Sequence, residues 1–415
     1  MEKQRNKVCG ADIHKKFLVA TILSRDGTKS TGRFVMTLDE LMRFKEWVIE
    51  NNCEQVAVES TGVYWVPIQT VLEDKIEVIV ANAYKIKHTP GRKTDMRDSE
   101  WIAELCLNGM IEPSRIFPKD DRELRTLTRN RENLVNNVTQ MKNRIHQALE
   151  SSCIKISSVL SDIFGKSGRH ILDGLLEGKN IDEILGGIKS KRVMKKEQEL
   201  RDAIKNSLDP AKILLIQNFL ELIEEIQKRI TRLDTEIMIR IERMKENIEI
   251  AMSIPGISFI SASAILAEIG DYRDFATGEK LAAWCGLTPK VTQSADMLVT
   301  GSITKQGSKH VRRMLIQVAH AISRTKNTVL KKFFLKIQAK KGVKKAAVAL
   351  ARKILCILHH LLVNKEKYQE NGNIKSKPIK FDRTSSPIQM TEQDMINTLV
   401  NAGYIIKKKD ARGCI

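Results

Sequence analysis

Four carboxylates near the start of the chain have the types and spacing needed to bind divalent metal ions. Asp12 lies in VCGADIHKKFLVATIL, whose alternation predicts a strand and a returning strand. Glu59 ends the apolar run of QVAVES, which predicts a buried strand. Asp95 and Asp98 stand three residues apart in KTDMRDSEWIAEL, which predicts a shared face of an amphipathic helix. Two Mg²⁺ ions about 4 Å apart need roughly this number of oxygen ligands to hold a scissile phosphate. The four acids therefore predict two-metal nuclease chemistry.

The alternative is that these acids are ordinary surface groups. The chain has 50 Asp and Glu residues, so some arrangement of four is expected by chance. An Asp near the start of a helix is also favoured by the helix dipole alone. The metal hypothesis therefore depends on the elements that would position the acids and on the rest of the chain.

The elements around these acids predict an α/β domain. Three strands (KVCGADI, FLVATIL and TGRFVM) come first, followed by a helix that begins at Thr37 with the capping-box pattern TLDE, which ends at Glu40. A strand, a helix and a strand come next. This is the order of an RNase H-like mixed sheet, which we expect over residues 1–118. A basic loop, YKIKHTPGRKT, precedes the Asp95 helix and faces either solvent or substrate.

The middle of the chain, residues 119–250, predicts an all-α spacer. Two apolar stripes alternate spacings of three and four, the pattern of a coiled coil. The first runs from Leu124 to Ile145 and is interrupted by Arg131; the second runs from Phe219 to Ile248 with one four-four step. We expect the stripes to pack against each other or against copies in another subunit. Between them, residues 151–210 predict short helices or an insertion.

Residues 251–365 predict a helical C-terminal domain. The segment SIPGISFISASAILAEIG predicts a helix-hairpin-helix with Pro255 and Gly256 in the hairpin, which would aim backbone N–H groups at a phosphate. A plain tight turn between packed helices is the alternative. The segment VTQSADMLVTGSITKQGSK predicts a loop, and basic helices follow from His310. Residues 366–415 predict a polar linker and a tail with one small helix, near TEQDMINTLVNAGY.

The charge distribution indicates a polyanionic partner. The net charge is +20, and residues 297–364 contain no Asp or Glu. Residues 305–353 carry fifteen Lys and Arg, which would repel one another unless a phosphate backbone lay against them. A membrane surface is the weaker alternative, because the segment is too long and too mixed for an interfacial helix. Candidate nucleic-acid contacts in this segment are Lys305, Lys309, Arg312 and Arg313.

The cysteines and the apolar segments of the chain indicate the cellular compartment in which the protein works. The seven cysteines are widely scattered, and none has C-x-x-C or zinc-ligand spacing. The opening residues, MEKQRNKVCGADI, contain no apolar segment of the signal-peptide type. The late apolar stretch AAVALARKILCILHHLLV is interrupted by two basic residues and is too short to span a membrane. We therefore expect a cytoplasmic protein, associated with the nucleoid in use, that binds no membrane.

The motifs together resemble one family. GADIHKK, AVESTGVYW, KTDMRDSEWIA, PGI, AEIGDYRDF, LAAWCGLTP and ITKQGSKHVRRML occur in the order found in the DEDD transposases of bacterial insertion sequences, which are bridge-RNA-guided serine recombinases. The resemblance covers roughly residues 7–360. It implies a RuvC-like nuclease domain, a coiled-coil spacer and a C-terminal domain with a nucleophilic serine. It also implies that Asp12, Glu59, Asp95 and Asp98 are catalytic and hold Mg²⁺.

The resemblance places the catalytic serine at Ser294, in V-T-Q-S-A. Family members commonly have Gly after this serine, whereas this chain has Ala295, and Ser302 is the second candidate. A serine hydroxyl needs a base or a metal to become a good nucleophile. Arg312 and Arg313 could neutralise the phosphate in the transition state or simply bind DNA backbone.

The resemblance further implies donor and target DNA, a structured guide RNA and a homo-oligomer, either a dimer or a tetramer. Aromatic residues make up only 5% of the chain, which is consistent with recognition of duplex shape and backbone rather than base stacking. Two other functions remain open from the residues. One is a junction-resolvase-like nuclease in which water attacks, and the other is a nucleic-acid-binding scaffold without catalysis.

Overall fold

The computed structural model describes residues 5–59, 62–81, 95–294, 297–325 and 328–370. For residues 95–97, 291–294 and 297–300 it describes the backbone alone. The predicted basic loop before Asp95 and the predicted C-terminal helix near TEQDMINTLVNAGY lie outside the described residues.

The N-terminal sheet has five strands in the spatial order β3-β2-β1-β4-β5. The strands are β1 (Lys7–Ile13), β2 (Phe17–Ser24), β3 (Lys29–Val35), β4 (Gln55–Glu59) and β5 (Glu77–Ala81). β1, β2 and β3 are antiparallel neighbours, whereas β1, β4 and β5 run parallel. This topology confirms the predicted RNase H-like N-terminal domain.

Helices cover both faces of this sheet. They are α1 (Leu38–Glu50), α2 (Trp65–Leu72) and α3 (Asp95–Leu107). α1 and α2 cover the face that carries Leu18 and Val58, and α3 covers the other face. α1 begins where predicted, but the predicted capping box is wrong, because Thr37 makes no side-chain cap and Glu40 pairs instead with Arg43.

Two long helices form the middle of the chain: α4 (Lys119–Ser151) and α10 (Pro210–Ile241). They pack antiparallel, since Arg131 pairs with Asp234 while Arg240 pairs with Glu123. Arg131 thus replaces an apolar contact by an ion pair. The predicted second stripe is too long: α10 ends at Ile241, at the four-four step where the apolar face no longer stays in register.

The segment between the long helices folds into short helices at one end of the pair. They are α5 (Ile156–Val159), α6 (Lys166–Leu176), α7 (Ile181–Gly186), α8 (Lys191–Met194) and α9 (Glu197–Ala203). Their apolar side chains share a core with Ile145 and Leu149 of α4 and Ile216 and Leu220 of α10. In the Gly-rich pieces of this segment, Gly178 and Gly187 follow helix ends, whereas Gly174 lies inside α6, where an added Cβ would come within 2.7 Å of Ile184.

The C-terminal region is mostly helical and has its own large core. A 3-10 turn (Glu242–Met244) precedes α11 (Lys245–Met252) and α12 (Phe259–Ile269); a second (Tyr272–Asp274) precedes α13 (Gly278–Trp284). Then come β6 (Pro289–Ser294), β7 (Met297–Ile303), α14 (Lys309–Arg324) and α15 (Val329–Asn364). By length and composition α15 could cross a membrane, but most of its apolar residues pack in this core.

Arg115 connects the N-terminal and C-terminal regions. Its Nε donates to Asp274 Oδ2 at 2.8 Å, and its Nη2 donates to the carbonyl oxygen of Asp271. The guanidinium also lies over the rings of Phe117 and Phe275. The acidic motif AEIGDYRDF therefore binds Arg115, a basic residue in the segment that follows the N-terminal domain.

Candidate active site

Asp12 and Glu59 lie side by side at one end of the sheet. In the parallel pairing of β1 with β4, Ala11 is opposite Val58, so the next residues, Asp12 and Glu59, are neighbours on adjacent strands. Adjacent strands are about 4.8 Å apart, and register neighbours project from the same face. Asp12 is 9% exposed. The sheet therefore fixes two carboxylates at the carboxyl ends of its central strands.

Gly10 lets α3 pack closely against the face that carries these acids. A Cβ at Gly10 would overlap the backbone nitrogen of Ala103 and the carbonyl oxygen of Ser99. A buried hydroxyl bond, 2.8 Å between Ser99 Oγ and Thr21 Oγ1, adds a link from α3 to β2. These contacts fix the height of α3 above the sheet.

The direction of α3 places its first turn toward the carboxylates. Val8 packs with Ile102 and Cys106, whereas Gly10, further along β1, meets Ser99 and Ala103, a pair that lies about one turn nearer the start of the helix. The helix therefore runs antiparallel to β1, and its first turn approaches the carboxyl end of the strand. That turn begins at Asp95 and contains Asp98.

The donor chemistry at this end fits a hard divalent cation, because such ions prefer carboxylate oxygen. The side chain of Asp95 lies outside the described side chains. Among the residues the structure does describe, no group of three or more His, Cys, Asp or Glu side chains is arranged to hold a metal ion. The structure therefore shows the two acids at the strand ends and the helix that approaches them. That Asp95 and Asp98 bind a metal ion remains a prediction.

His14 is a neighbour of Asp12 that the sequence analysis missed. Its Nε2 lies 3.1 Å from Asp12 Oδ2, and its ring packs against Phe17 with centroids 4.7 Å apart. The signal was present in the sequence, because a residue two positions after Asp12 can lie on the same side of an extended chain. His14 is positioned to orient the Asp12 carboxylate.

Ser294 lies at the end of a β-hairpin, and the predicted loop over this segment is wrong. Ser294 is the last residue of β6 and pairs through its backbone with Met297 of β7. Alternating Val and Thr favour extended structure here over an irregular loop. The side chain of Ser294 and all of Ala295 lie outside the description. Ser302, the second candidate, is an exposed residue of β7.

A buried carboxylate holds the base of this hairpin. Glu268, 1% exposed, accepts a 2.7 Å hydrogen bond from Ser308 Oγ, and Ser308 caps α14 directly after the hairpin. Arg129 of α4 donates to the same carboxylate at 2.6 and 2.9 Å. Burial alone would raise the pKa of Glu268, but Arg129, Arg125 and Ser308 outweigh it and lower that pKa. The hairpin base is thereby tied to the long helices.

Arg312 and Arg313, predicted to contact phosphate, both have partners within the protein. Arg312 Nη1 donates to the carbonyl oxygens of Cys285, Gln306 and Gly307 at 2.9–3.0 Å. Arg312 thus supports the segment that follows the hairpin.

Arg313 bridges α14 to the long helix α4. Its guanidinium donates to Glu132 Oε1 at 2.7 Å and also to Asn136. His310 Nδ1 lies 2.7 Å from the second oxygen of Glu132. Arg313 therefore links α14 to α4, and its charge is neutralised within the protein.

The other predicted nucleic-acid contacts differ in their surroundings. Pro255 and Gly256 form the turn between α11 and α12. A Cβ on Gly256, which has φ +83°, would come within 2.7 Å of Ile322 of α14. This close packing favours the alternative of a tight turn. Lys305 and Lys309 are exposed on either side of Ser308.

The fold defines an RNase H-like domain with two adjacent carboxylates at its strand ends, joined to a helical region with a serine at a hairpin end. A family model for DEDD transposases of the IS110 type matches residues 9–154, and a model for transposases of the IS116/IS110/IS902 family matches residues 248–335. Together these matches span more than half of the chain. The chain belongs to this family of transposases, and it is an enzyme that acts on DNA.

Individual proteins show the same similarity. A probable family 20 transposase of Pseudomonas aeruginosa is 26% identical over 322 residues, which cover 76% of this chain and 85% of that protein. The transposase for insertion sequence element IS1111A of Coxiella burnetii is 33% identical over 132 residues, 31% of this chain and 36% of the relative.

Among solved structures, Thermus thermophilus RuvC matches 26% of this chain and 99% of its own, with 14% identity and a TM-score of 0.21. Such a low score carries no weight. The RNase H-like assignment depends on the strand order. Membership of a DEDD family with this fold implies the use of a divalent metal ion.

Proposed function

We propose that this transposase cuts and rejoins the DNA of an insertion sequence through a covalent bond to Ser294. The observation that carries the proposal is the pairing of two features in one family member. One is the carboxylate pair of Asp12 and Glu59 on adjacent parallel strands, and the other is a serine at the end of a hairpin within the second family match. A carboxylate site and a hydroxyl nucleophile are the parts that a metal-assisted phosphoryl transfer needs.

The four acids are the groups that would hold Mg²⁺. Asp12 and Glu59 would contribute from the strand ends, and Asp95 and Asp98 from the first turn of α3. When bound, Mg²⁺ would polarise the scissile phosphate and favour deprotonation of the attacking hydroxyl. His14, 3.1 Å from Asp12, would restrict the orientation of that carboxylate.

The serine chemistry balances as two phosphoryl transfers. In the first, Ser294 Oγ loses its proton and forms a bond to phosphorus, the phosphorus–oxygen bond of the DNA strand breaks, and the released sugar oxygen takes up a proton to become a hydroxyl. In the second, a hydroxyl of another DNA end attacks the phosphoserine, and Ser294 regains its proton. Each step exchanges one phosphate ester for another, so no external energy source is needed.

Target choice in this proposal belongs to a structured guide RNA. The chain has few aromatic residues with which to stack on bases, and Arg312 and Arg313 of α14 have partners within the protein. Sequencing of RNA that co-purifies with the protein tests this part; recovery of random cellular RNA alone would contradict it.

The proposal also includes a homo-oligomer. Two long helices alone leave the middle of their apolar stripes partly exposed, as seen at Leu134, Val138, Ile226 and Ile230. A second copy would cover this stripe. Sedimentation of the full chain gives the oligomeric state, and a monomer at micromolar concentration would contradict the proposal.

The decisive test compares Ser294→Ala with Ser302→Ala. With a labelled DNA substrate, wild type and Ser302→Ala should give protein–DNA adducts that resist denaturant, whereas Ser294→Ala should give none and should not exchange strands. Ser294→Ala removes only the oxygen that would attack the phosphate, and the carboxylates that would bind the metal remain.

Full strand cleavage by Ser294→Ala would overturn the serine mechanism. Water would then be the nucleophile, as in a junction-resolvase-like nuclease. Adduct loss in Ser302→Ala instead would move the nucleophile to Ser302.

A further inference from the structure

The 36-residue helix α15 reverses direction at Gly342. The Lys353 ammonium lies 4.4 Å from the ring centroid of Phe333. In a straight helix these residues would be about 30 Å apart, at about 1.5 Å per residue. Gly342 has φ 79° and ψ 166°, outside the helical range. α15 is therefore a helical hairpin with two arms, residues 329–341 and 343–364, joined at Gly342.

A glycine is needed at position 342 because of its backbone angle and not because a side chain would lack space there. An added Cβ would meet no atom within 4 Å, but φ near +79° disfavours residues with a Cβ. The hairpin end is therefore open to solvent.

This reversal gathers lysines at an exposed end of the molecule. Six of them lie on the first arm or beside the turn, and all six are exposed: Lys332, Lys336, Lys340, Lys341, Lys344 and Lys345. We call this group the lysine tip. Within the part of the chain that the structure describes, no ion pair involves any of the six.

The lysine tip differs from the two consecutive arginines of α14. Arg312 and Arg313 already donate to carbonyl oxygens and to Glu132, so their charge is used inside the protein. The tip lysines are surrounded by a segment without acids, since residues 297–364 contain none. Like charges so close together repel, and a partner with closely spaced negative charge would relieve that repulsion.

We propose that the lysine tip binds the phosphate backbone of duplex DNA without reading its sequence. Duplex DNA carries one negative charge per about 1.7 Å of its axis, a density that suits a compact group of flexible ammonium groups. Three of the lysines (332, 336 and 340) recur every four residues along one helical face and extend about 12 Å. Lysine side chains that contact phosphates fix the position of the DNA backbone but do not distinguish one base from another.

DNA is the occupant that the observations favour. Family membership establishes a DNA substrate, whereas the guide RNA is itself a proposal. The inference therefore rests on the DNA substrate and not on the serine mechanism. An anionic membrane would need a continuous apolar face beside the charges. Most apolar residues of α15 pack in the C-terminal core, and Leu335 and Val343, which are exposed near the tip, are too few to form such a face.

The test compares two triple variants that remove the same charge. The first is Lys340→Gln, Lys341→Gln and Lys344→Gln in the tip. The control is Lys179→Gln, Lys228→Gln and Lys245→Gln, three exposed lysines that each pair with a glutamate. Binding of a fluorescent 30-base-pair DNA by the full chain is measured with a metal chelator over a range of salt concentrations. The chelator prevents cleavage, so the result is independent of Ser294.

The tip variant should bind DNA on the order of tenfold or more weakly, and the slope of log K against log salt should fall by about 3. The control should change the affinity less than threefold. Replacing the same tip lysines by Arg should retain the slope, which separates charge from folding.

Equal losses in the tip and control variants, or an unchanged salt slope, would overturn the proposal. The same variants are also tested on an RNA duplex and on phosphatidylserine vesicles. A loss confined to RNA or to vesicles, with DNA binding intact, would assign the tip to that other partner and overturn it as well.

Discussion

The carboxylate end of the N-terminal sheet and the β6–β7 hairpin are supported in different ways. Asp12 and Glu59 extend from central strands that are covered on both faces, and Gly10 allows α3 to lie against the backbone. Ser294 lies on a two-stranded sheet, an element that is marginal by itself. The hairpin is held at its base, where Glu268 and Arg312 fix the segment that leads into α14.

This difference separates the two halves of the proposed site. The metal-binding half is pre-organised by the fold of its own domain, because strand register sets the spacing of its acids. The serine half takes its position from contacts remote from Ser294, including Arg129 on the long helix α4. Substitutions of the carboxylates themselves should therefore act directly on chemistry, whereas those at the hairpin base should act first on stability.

The largest effect is expected for Asp12→Asn. Loss of one carboxylate from the central strand should reduce strand cleavage on the order of 10³-fold, because several kcal/mol of metal-dependent stabilisation depend on the ligand charge. Glu77→Gln, at the opposite end of the sheet in β5, is the matched control. Cleavage is measured under single-turnover conditions and DNA binding in parallel. Wild-type cleavage by Asp12→Asn would break the assignment of this end as the metal-binding half.

A smaller effect is expected when one methyl group is added to each half. Gly10→Ala should destabilise the protein by about 3 kcal/mol and impair cleavage, because α3 must move away from β1. Gly301→Ala in β7 should change stability by less than about 0.5 kcal/mol, since its Cβ would lie 3.7 Å from its nearest neighbour, the Lys290 Cβ. Urea unfolding measures both. Equal tolerance at the two sites would contradict the proposed difference in packing.

The smallest effect is expected for Glu268→Gln, about 2 kcal/mol at pH 7, because Arg125 and Arg129 lose their buried partner. The pKa of Glu268 is lowered in the folded protein, so its stabilisation is complete above the ordinary carboxyl pKa and is lost as pH falls through the lowered value. The difference in unfolding free energy between wild type and variant should therefore shrink below about pH 4.

Urea titrations from pH 7 to pH 3 check this prediction, with the exposed Glu242→Gln as control. A difference that stays constant with pH would mean that Glu268 does not carry the buried charge at the hairpin base.

Much of the N-terminal domain could be predicted from the sequence. Period-two alternation in β1 and β2, and the apolar runs of β4 and β5, are local signals that survive folding because each strand is buried. The helix that carries Asp95 and Asp98 was predicted for the same reason. The pairing of the long helices with each other was one of two arrangements that the stripes left open, and its antiparallel direction came only from the structure.

The C-terminal half was harder to predict. The hairpin around Ser294 was predicted as a loop, because its alternation is short and no Asn-Gly or Asp-Gly turn marks it. Glu268 and Arg313 have partners more than a hundred residues away in the chain, and no window of sequence contains such pairs. The reversal at Gly342 was likewise hidden within a continuous helical pattern.

The sequence by itself determined which elements carry the acids, where the positive charge is concentrated and, through its motifs, the family. These properties depend on residues close together in the chain. Only the tertiary structure decided that Asp12 and Glu59 are register neighbours, that His14 contacts Asp12, and which cations remain available to DNA. Those outcomes depend on packing between distant segments, since burial gives a charge such as Arg313 a partner inside the protein and leaves the lysine tip exposed.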